Sequence, residues 1–152
     1  NSGGVHCLKY GVTTNHVLGV EMVMPDGEII EIGGKALDPP GYDLTGLVVG
    51  SEGLLGIVTK VTLKIIKKPE AVKTLFASYD NVEDAGASVS GITARGVIPA
   101  GMEIMDSFCI KSVEETIGAG YPIDAGAILL VELDGPLAEV EAQMPIVEEV
   151  LK

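Results

Sequence analysis

From Leu55 to Ile65 the chain alternates: Leu55, Ile57, Val61, Leu63 and Ile65 fall on one side, Lys60, Thr62 and Lys64 on the other. A period of two predicts an antiparallel strand with one buried face. Lys67-Lys68-Pro69 ends it, because proline cannot donate to a ladder. Upstream, VLGVEMVMPDGEIIEI (17–32) predicts a β-hairpin. Leu18, Val20, Met22 and Met24 form one face, and Pro25-Asp26-Gly27 supplies the turn. Between Gly33 and Gly46, Pro39, Pro40 and the glycines at 34, 41 and 46 predict a surface loop.

Beyond Pro69 the period changes. Thr74–Tyr79 predicts a short strand. Asn81 to Ala94 then recurs at helical spacing through Val82, Ala85, Val89 and Ile92, with Asp80 or Asn81 as its cap. Met102–Met105 predicts a strand, and Ser107–Ile117 a helix whose apolar side carries Cys109, Val113 and Ile117. Ala127–Leu133 is the clearest strand of this half. Asp134-Gly135-Pro136 then opens a helix with the stripe Leu137, Val140, Met144, Val147 and Leu151, and Pro145 is expected to kink or shorten it. The pattern therefore predicts a β-rich half of about 68 residues followed by an alternating β-α half. It ends on a helix without a closing strand, and the chain starts without methionine, so a piece of a longer protein is expected.

Composition refines this picture. The 152 residues are 47% hydrophobic, which supports a packed core, and with two Phe and no Trp that core is aliphatic. Formal net charge is −12. Residues 1–68 carry six Lys against seven acids, whereas residues 69–152 carry four basic residues against fifteen acids. The asymmetry supports two structural units and argues against nucleic acid as a partner. Two cysteines without framework spacing, no signal peptide and no apolar run of spanning length predict a cytoplasmic setting. Cys7 and Cys109 read as buried small hydrophobes, His6 and His16 as local hydrogen-bonding residues, and Glu103 and Asp106 as a solvated pair.

No helix-opening GxGxxG, no GxxxxGK[ST] loop, no metal-ligand spacing and no GxSxG elbow occurs. What remains is glycine clustering, at Gly3-Gly4 near the start and in GSEGLLG (50–56). Without a β-carbon the main chain approaches a flat or charged ligand closely, and its N–H and C=O groups bond heterocycle edges or phosphate oxygens. For the spacing alone, turns and bulges are the stronger account.

The ordered series NSGGVHCLKYG, HVLGVEMVMPDGEII and GLVVGSEGLLGIVTKVTLKI resembles the FAD-linked oxidases of the vanillyl-alcohol oxidase type. The branch most similar is that of the glycolate oxidase large subunit and the D-lactate dehydrogenases. IPAGMEIMDSFCIKSVEE and ILLVELDGPLAEVE continue the match into that branch's cap domain. The resemblance implies an α+β fold: an antiparallel-sheet FAD-binding subdomain whose second half is residues 1–68, then part of a ferredoxin-like α+β cap domain over 69–152.

The resemblance also implies FAD as cofactor, lying between two subdomains. Asn1, Gly3 and Gly4 match the motif whose backbone approaches the flavin and pyrophosphate. Glu52 and Gly53 match the loop touching FAD, and Gly56, Ile57 and Val58 match the strand start whose main chain bonds it. Leu54 departs from the threonine usual there. The main pyrophosphate segment is expected before Asn1, and the substrate-side histidines and metal-binding acid after Lys152, so no catalytic or metal residue is assigned in this chain. The implied whole enzyme oxidises a small D-2-hydroxyacid to a 2-oxoacid and passes electrons to partner subunits or a carrier, at the membrane periphery if those partners sit there. The alternatives are a D-lactate or D-2-hydroxyglutarate dehydrogenase, a cytokinin- or alditol-type oxidase, or a non-catalytic α+β module that forms a homodimer.

Overall fold

The computed structural model describes residues 3–37 and 40–152, so Asn1 of the proposed cofactor set lies outside the described residues. The contacts divide the chain into two compact units. One comprises the residues up to 4 together with Tyr10–Lys67, and the other Val5–Lys9 together with Lys68–Lys152.

In the first unit, β1 (Val17–Val23) pairs antiparallel with β2 (Ile29–Gly33) on one side and β3 (Ile57–Leu63) on the other. The hairpin forms where the turn chemistry places it: Asp26 Oδ1 accepts from Glu28 N at 3.0 Å, and Met24 N donates to Glu28 O at 2.8 Å. Val20, Met22 and Val48 are the buried apolar residues, with Val17, Met24, Ile30 and Ile32 packed around them. α1 (Cys7–Tyr10) precedes β1 in the chain, and Val48 belongs to α2 (Leu44–Val48), a short helix that begins in the expected loop and ends past it. Asp43 caps it, accepting from Gly46 N at 2.8 Å.

Two expectations for β3 are corrected. Glu21 pairs with Lys60 and Met22 with Val58, so Thr59 is an extra residue in a β-bulge. That residue shifts the phase and puts Ile57 on the face opposite Val61 and Leu63, where the strict alternation had placed them together. The strand is also not half-buried: Val58 is 40%, Val61 49% and Leu63 54% exposed. β3 has β1 as its one neighbour in the sheet, so its side chains gain cover from one side alone. A second bulge, at Leu18, brings Val17 rather than Leu18 to the cluster around Val20.

The second unit runs β4 (Ala71–Tyr79), α3 (Val82–Ala94), β5 (Gly101–Asp106), α4 (Ser107–Thr116), β6 (Ala127–Gly135) and α5 (Leu137–Val150). The sheet order is β4-β6-β5 with both pairings antiparallel. β4 and β5 are therefore parallel strands with β6 inserted between them, the split arrangement of ferredoxin-like α+β domains. Leu75, Leu129, Val131 and Leu133 of one sheet face pack with Ile92 of α3 and Val140 and Val147 of α5. The side chains of Ile128, Glu132 and Asp134 alternate to the other face of β6.

Asn81 caps α3, accepting from Asp84 N at 2.8 Å. α5 continues through Pro145 without shortening, and Pro145 lies on the exposed side of the helix. On α4 the buried residue is Ile110, not Cys109 or Ile117; Ile117 is 75% exposed. Asp106 fixes this rotation by capping the helix at Cys109 N, which places Cys109 in the first turn facing solvent.

Candidate functional site

α2 ends at Val48, and the chain then turns twice before β3. Ser51 N donates to Val48 O at 3.0 Å, and Leu54 N to Ser51 O at 3.0 Å. Between them Glu52 has φ 53° and Gly53 φ 83°. A four-residue turn with two successive positive φ values has type I′ geometry, which suits Gly53 and strains Glu52. In such a turn the two central amides point outward. Among the described residues the N–H groups of Glu52 and Gly53 have no hydrogen-bond partner.

Ile57 and Val58 start β3 opposite Val23 and Met22. Every second residue of β3 turns its N–H and C=O away from β1, and among the described residues no strand lies on that side. Ile57 itself is 71% exposed. Loop and edge strand together present bare main-chain donors beside an apolar surface, with no cationic side chain needed to receive a phosphate.

The glycines of the set differ in why they are glycine. Gly56 has φ 155°, and a β-carbon there would meet Met22 Cε at 2.5 Å and Val23 O at 2.6 Å, so its bareness serves the sheet. Gly53 has open space around it and needs its positive φ. Gly4 has neither a positive φ nor any protein atom within 4 Å of an added β-carbon, and nothing within the described residues demands glycine. An exposed position with no side chain fits close approach of a ligand. Gly3 is likewise exposed, and all the described members of the set belong to the first unit.

A cavity of about 560 Å³ in the second unit is lined by Asp80, Glu114, Glu115 and Asp124 against Lys111. Glu114 is already used, accepting from Gly120 N at 3.1 Å and Tyr121 N at 2.8 Å. Such an acidic lining repels a pyrophosphate or a carboxylate substrate. Among the described residues no group of three or more His, Cys, Asp or Glu is arranged to hold a metal ion.

His16 Nε2 lies 2.8 Å from Tyr10 O, the local contact expected of it, whereas His6 Nε2 lies 2.8 Å from Glu132 Oε1, 126 residues away, so its hydrogen bond is long-range and not the local one the sequence suggests. At the bulge Glu21 accepts from Lys60 Nζ at 2.6 Å and from Thr59 Oγ1 at 2.8 Å. These bonds lower the Glu21 pKa, and the same carboxylate raises that of Lys60.

Asp106 is a cap rather than a free member of a solvated pair. The Cys109 amide bond holds its carboxyl below the usual aspartate range. Because the folded value is depressed, its contribution is present above the unfolded pKa and lost as pH falls through the folded one. The negative Asp106 in turn raises the exposed Cys109 thiol, which corrects the reading of Cys109 as buried. Asp106→Asn is expected to speed reaction of Cys109 with a disulfide reagent at mildly alkaline pH several-fold, against Cys7 as internal control. An unchanged rate would show that the carboxylate does not govern the thiol.

Residues 68–152, more than half of the chain, match the family described as "FAD linked oxidases, C-terminal domain". The chain belongs to the FAD-linked oxidases. This FAD-linked oxidase chain is 50% identical over 151 residues to the glycolate oxidase subunit GlcD of Escherichia coli K12, covering 99% of itself and 30% of that protein. It is 48% identical to the GlcD of Bacillus subtilis, covering 100% of itself and 33% of that protein. A D-lactate dehydrogenase of Anaerostipes hadrus is 37% identical over 89% of the chain and 30% of its own length. The chain thus spans about a third of the length of these relatives. Among solved structures, an alkyldihydroxyacetonephosphate synthase superposes with a TM-score of 0.81 over 99% of the chain and 30% of its own, at 21% identity, a likeness of fold. Among the described residues, no helix is long and apolar enough to cross a membrane.

Glu52 and Gly53 read from the sequence as loop residues, but not as the tight turn with two positive φ values that they form. Glutamate is a poor type I′ residue, so the turn is legible only from the pairing of Ser51 with Leu54.

Proposed function

We propose that the chain is part of an FAD-dependent dehydrogenase that oxidises a small D-2-hydroxyacid of the glycolate type to the 2-oxoacid. The observation that carries this reading is the 50% identity to a glycolate oxidase subunit across nearly the whole chain. Residues 1–68 form the second half of an FAD-binding domain, and 69–152 the first part of the cap. Asn1, Gly3, Gly4, Glu52, Gly53, Gly56, Ile57 and Val58 hold FAD largely through main-chain groups. The unpartnered Glu52 and Gly53 amides suit phosphate or ring-carbonyl oxygens, and Gly4 admits the flat ring system. When bound, FAD supplies the acceptor for the hydride lost from the C2 carbon. This chain's share is to bind and orient that acceptor, while residues elsewhere in the protein take the substrate proton. The relatives named as subunits support partner subunits as the electron outlet.

The 37% identity to a D-lactate dehydrogenase supports the second reading, a larger hydroxyacid such as D-lactate or D-2-hydroxyglutarate. Anaerobic mixing of the full-length flavoprotein with glycolate, D-lactate and D-2-hydroxyglutarate separates the readings. Bleaching of the flavin fastest with glycolate is expected. Fastest bleaching with D-lactate would favour the second, and a protein purified without flavin would overturn both.

Gly4→Ala is expected to weaken FAD binding about tenfold while leaving unfolding within about 0.5 kcal/mol of the parent, since an added β-carbon there meets no protein atom within 4 Å. Unchanged affinity in a flavin titration would remove Gly4 from the site.

A further inference from the structure

The division between the two units falls at the Gly4–Val5 peptide bond, directly after the glycine pair assigned to FAD. Residues Val5–Lys9 belong instead to the second unit, far from it in sequence. Three anchors hold this strap on one face of the sheet. Lys9 Nζ donates to Asp134 Oδ1 at 2.7 Å and also to the Asp134 carbonyl. His6 Nε2 lies 2.8 Å from Glu132 Oε1. Val5 lies over Gly101, where an added β-carbon would meet Val5 Cγ2 at 2.5 Å and Val5 O at 3.2 Å.

The three receptor positions are matched to one another. Glu132 and Asp134 are two residues apart on β6 and share a face. Gly101 pairs directly opposite Glu132. Asp134 is only 5% exposed, and a carboxylate that buried requires a cationic partner, which the strap provides. The anchors are spaced along the whole strap: Val5 at its start, His6 next, Lys9 at its end. A contact that merely buried surface would not need a buried ion pair, a second polar contact and a bare glycine seat.

We infer that Asp134 and Glu132, acting through Lys9 and His6, are positioning residues for the main chain of Gly3–Gly4 against FAD. The inference rests on the FAD reading above. Because the strap and the glycine pair are contiguous, fixing Val5 and Lys9 restricts the backbone that the cofactor must meet. Cap and cofactor are then coupled, and the coupling is reciprocal: FAD stabilises the docked strap to the extent that the docked strap strengthens FAD binding.

The test uses the full-length flavoprotein with Lys9→Met, Lys9→Arg, His6→Ala and the double variant Lys9→Met/Asp134→Leu. FAD affinity and the visible circular dichroism of bound flavin are read beside thermal unfolding. Lys9→Met is expected to weaken FAD by a factor within the 5- to 150-fold range typical of coupled sites, roughly tenfold, and to alter the flavin dichroism. Lys9→Arg restores most of the affinity. The double variant removes both charges of the pair and recovers the unfolding midpoint without recovering affinity. His6→Ala, at an exposed contact, gives a loss of about two- to threefold in a protein that keeps its fold, so the inference stays testable if Lys9→Met does not fold. Variants that unfold earlier yet bind FAD as the parent does, with unchanged dichroism, would leave the strap purely structural and overturn it. A parent without flavin would overturn the flavin reading first, and this inference with it.

Discussion

Gly126→Ala lowers the stability of the second unit by about 3–5 kcal/mol. An added β-carbon at 126 would stand 1.9 Å from Asp80 O, 2.4 Å from Asp80 C and 3.0 Å from Asn81 N. These are main-chain atoms and cannot swing aside as a flexible side chain does. Relief requires the Asp80–Asn81 backbone to move away from β6, and both ends of that movement are costly. Gly126 N bonds Tyr79 O at 2.9 Å, which closes the β4–β6 ladder. Asn81 is the α3 cap, and its side chain must stay beside Asp84 N. Overpacking costs about 1–3 kcal/mol. Loss of the cap adds about 1 kcal/mol and loss of the ladder bond about another. Chemical denaturation of the full-length protein, followed through probes in the cap, measures the sum. A loss below about 1 kcal/mol would mean that this corner opens freely.

Gly56→Ala acts on the first unit by two separate mechanisms. Its φ of 155° lies in a region that side-chain-bearing residues rarely adopt, and the new methyl would meet Met22 Cε at 2.5 Å and Val23 O at 2.6 Å. Met22 can bend, although it is 1% exposed and has little room; the carbonyl cannot. Strain and overpacking together give about 2–4 kcal/mol. Gly53→Ala is the control, because its φ of 83° is strained but its surroundings are open. About 1 kcal/mol is expected there. FAD affinity should fall with Gly56→Ala as well, since the change displaces the Ile57 and Val58 main chain. Equal stabilities of the two variants would show that the Met22 contact carries no weight.

Legibility followed the strength of local signals. Asn81 as a helix cap and the turn at Asp26-Gly27 rest on chemistry within three or four residues, and those elements lie where the sequence predicts them, whereas Asp106 reads from the sequence as a solvated carboxylate and caps α4 in the structure. β6, fully apolar from Ala127 to Val131, is unmistakable. The phase of β3 was not legible, because the bulge at Thr59 is set by pairing with Glu21 and Met22 far upstream. α2 was hidden for a similar reason: five residues with an internal glycine make a poor isolated helix, and packing of Val48 on β1 stabilises it. The rotation of α4 turned on one cap, which a helical period alone does not resolve. At the site, family resemblance named the residues. Coordinates separated Gly56, bare for the sheet, from Gly4, bare for no reason within the described residues.

The strap on β6 has a consequence for biosynthesis. Lys9 leaves the ribosome 125 residues ahead of Asp134, its ion-pair partner. At about 5–20 residues per second the gap is roughly 6–25 s. Throughout that interval the segment has no receptor, so its docking is a late, long-range closure rather than a nucleating step. Nascent chains halted before β6 should leave residues 5–9 open to proteolysis, and chains released after it should protect them.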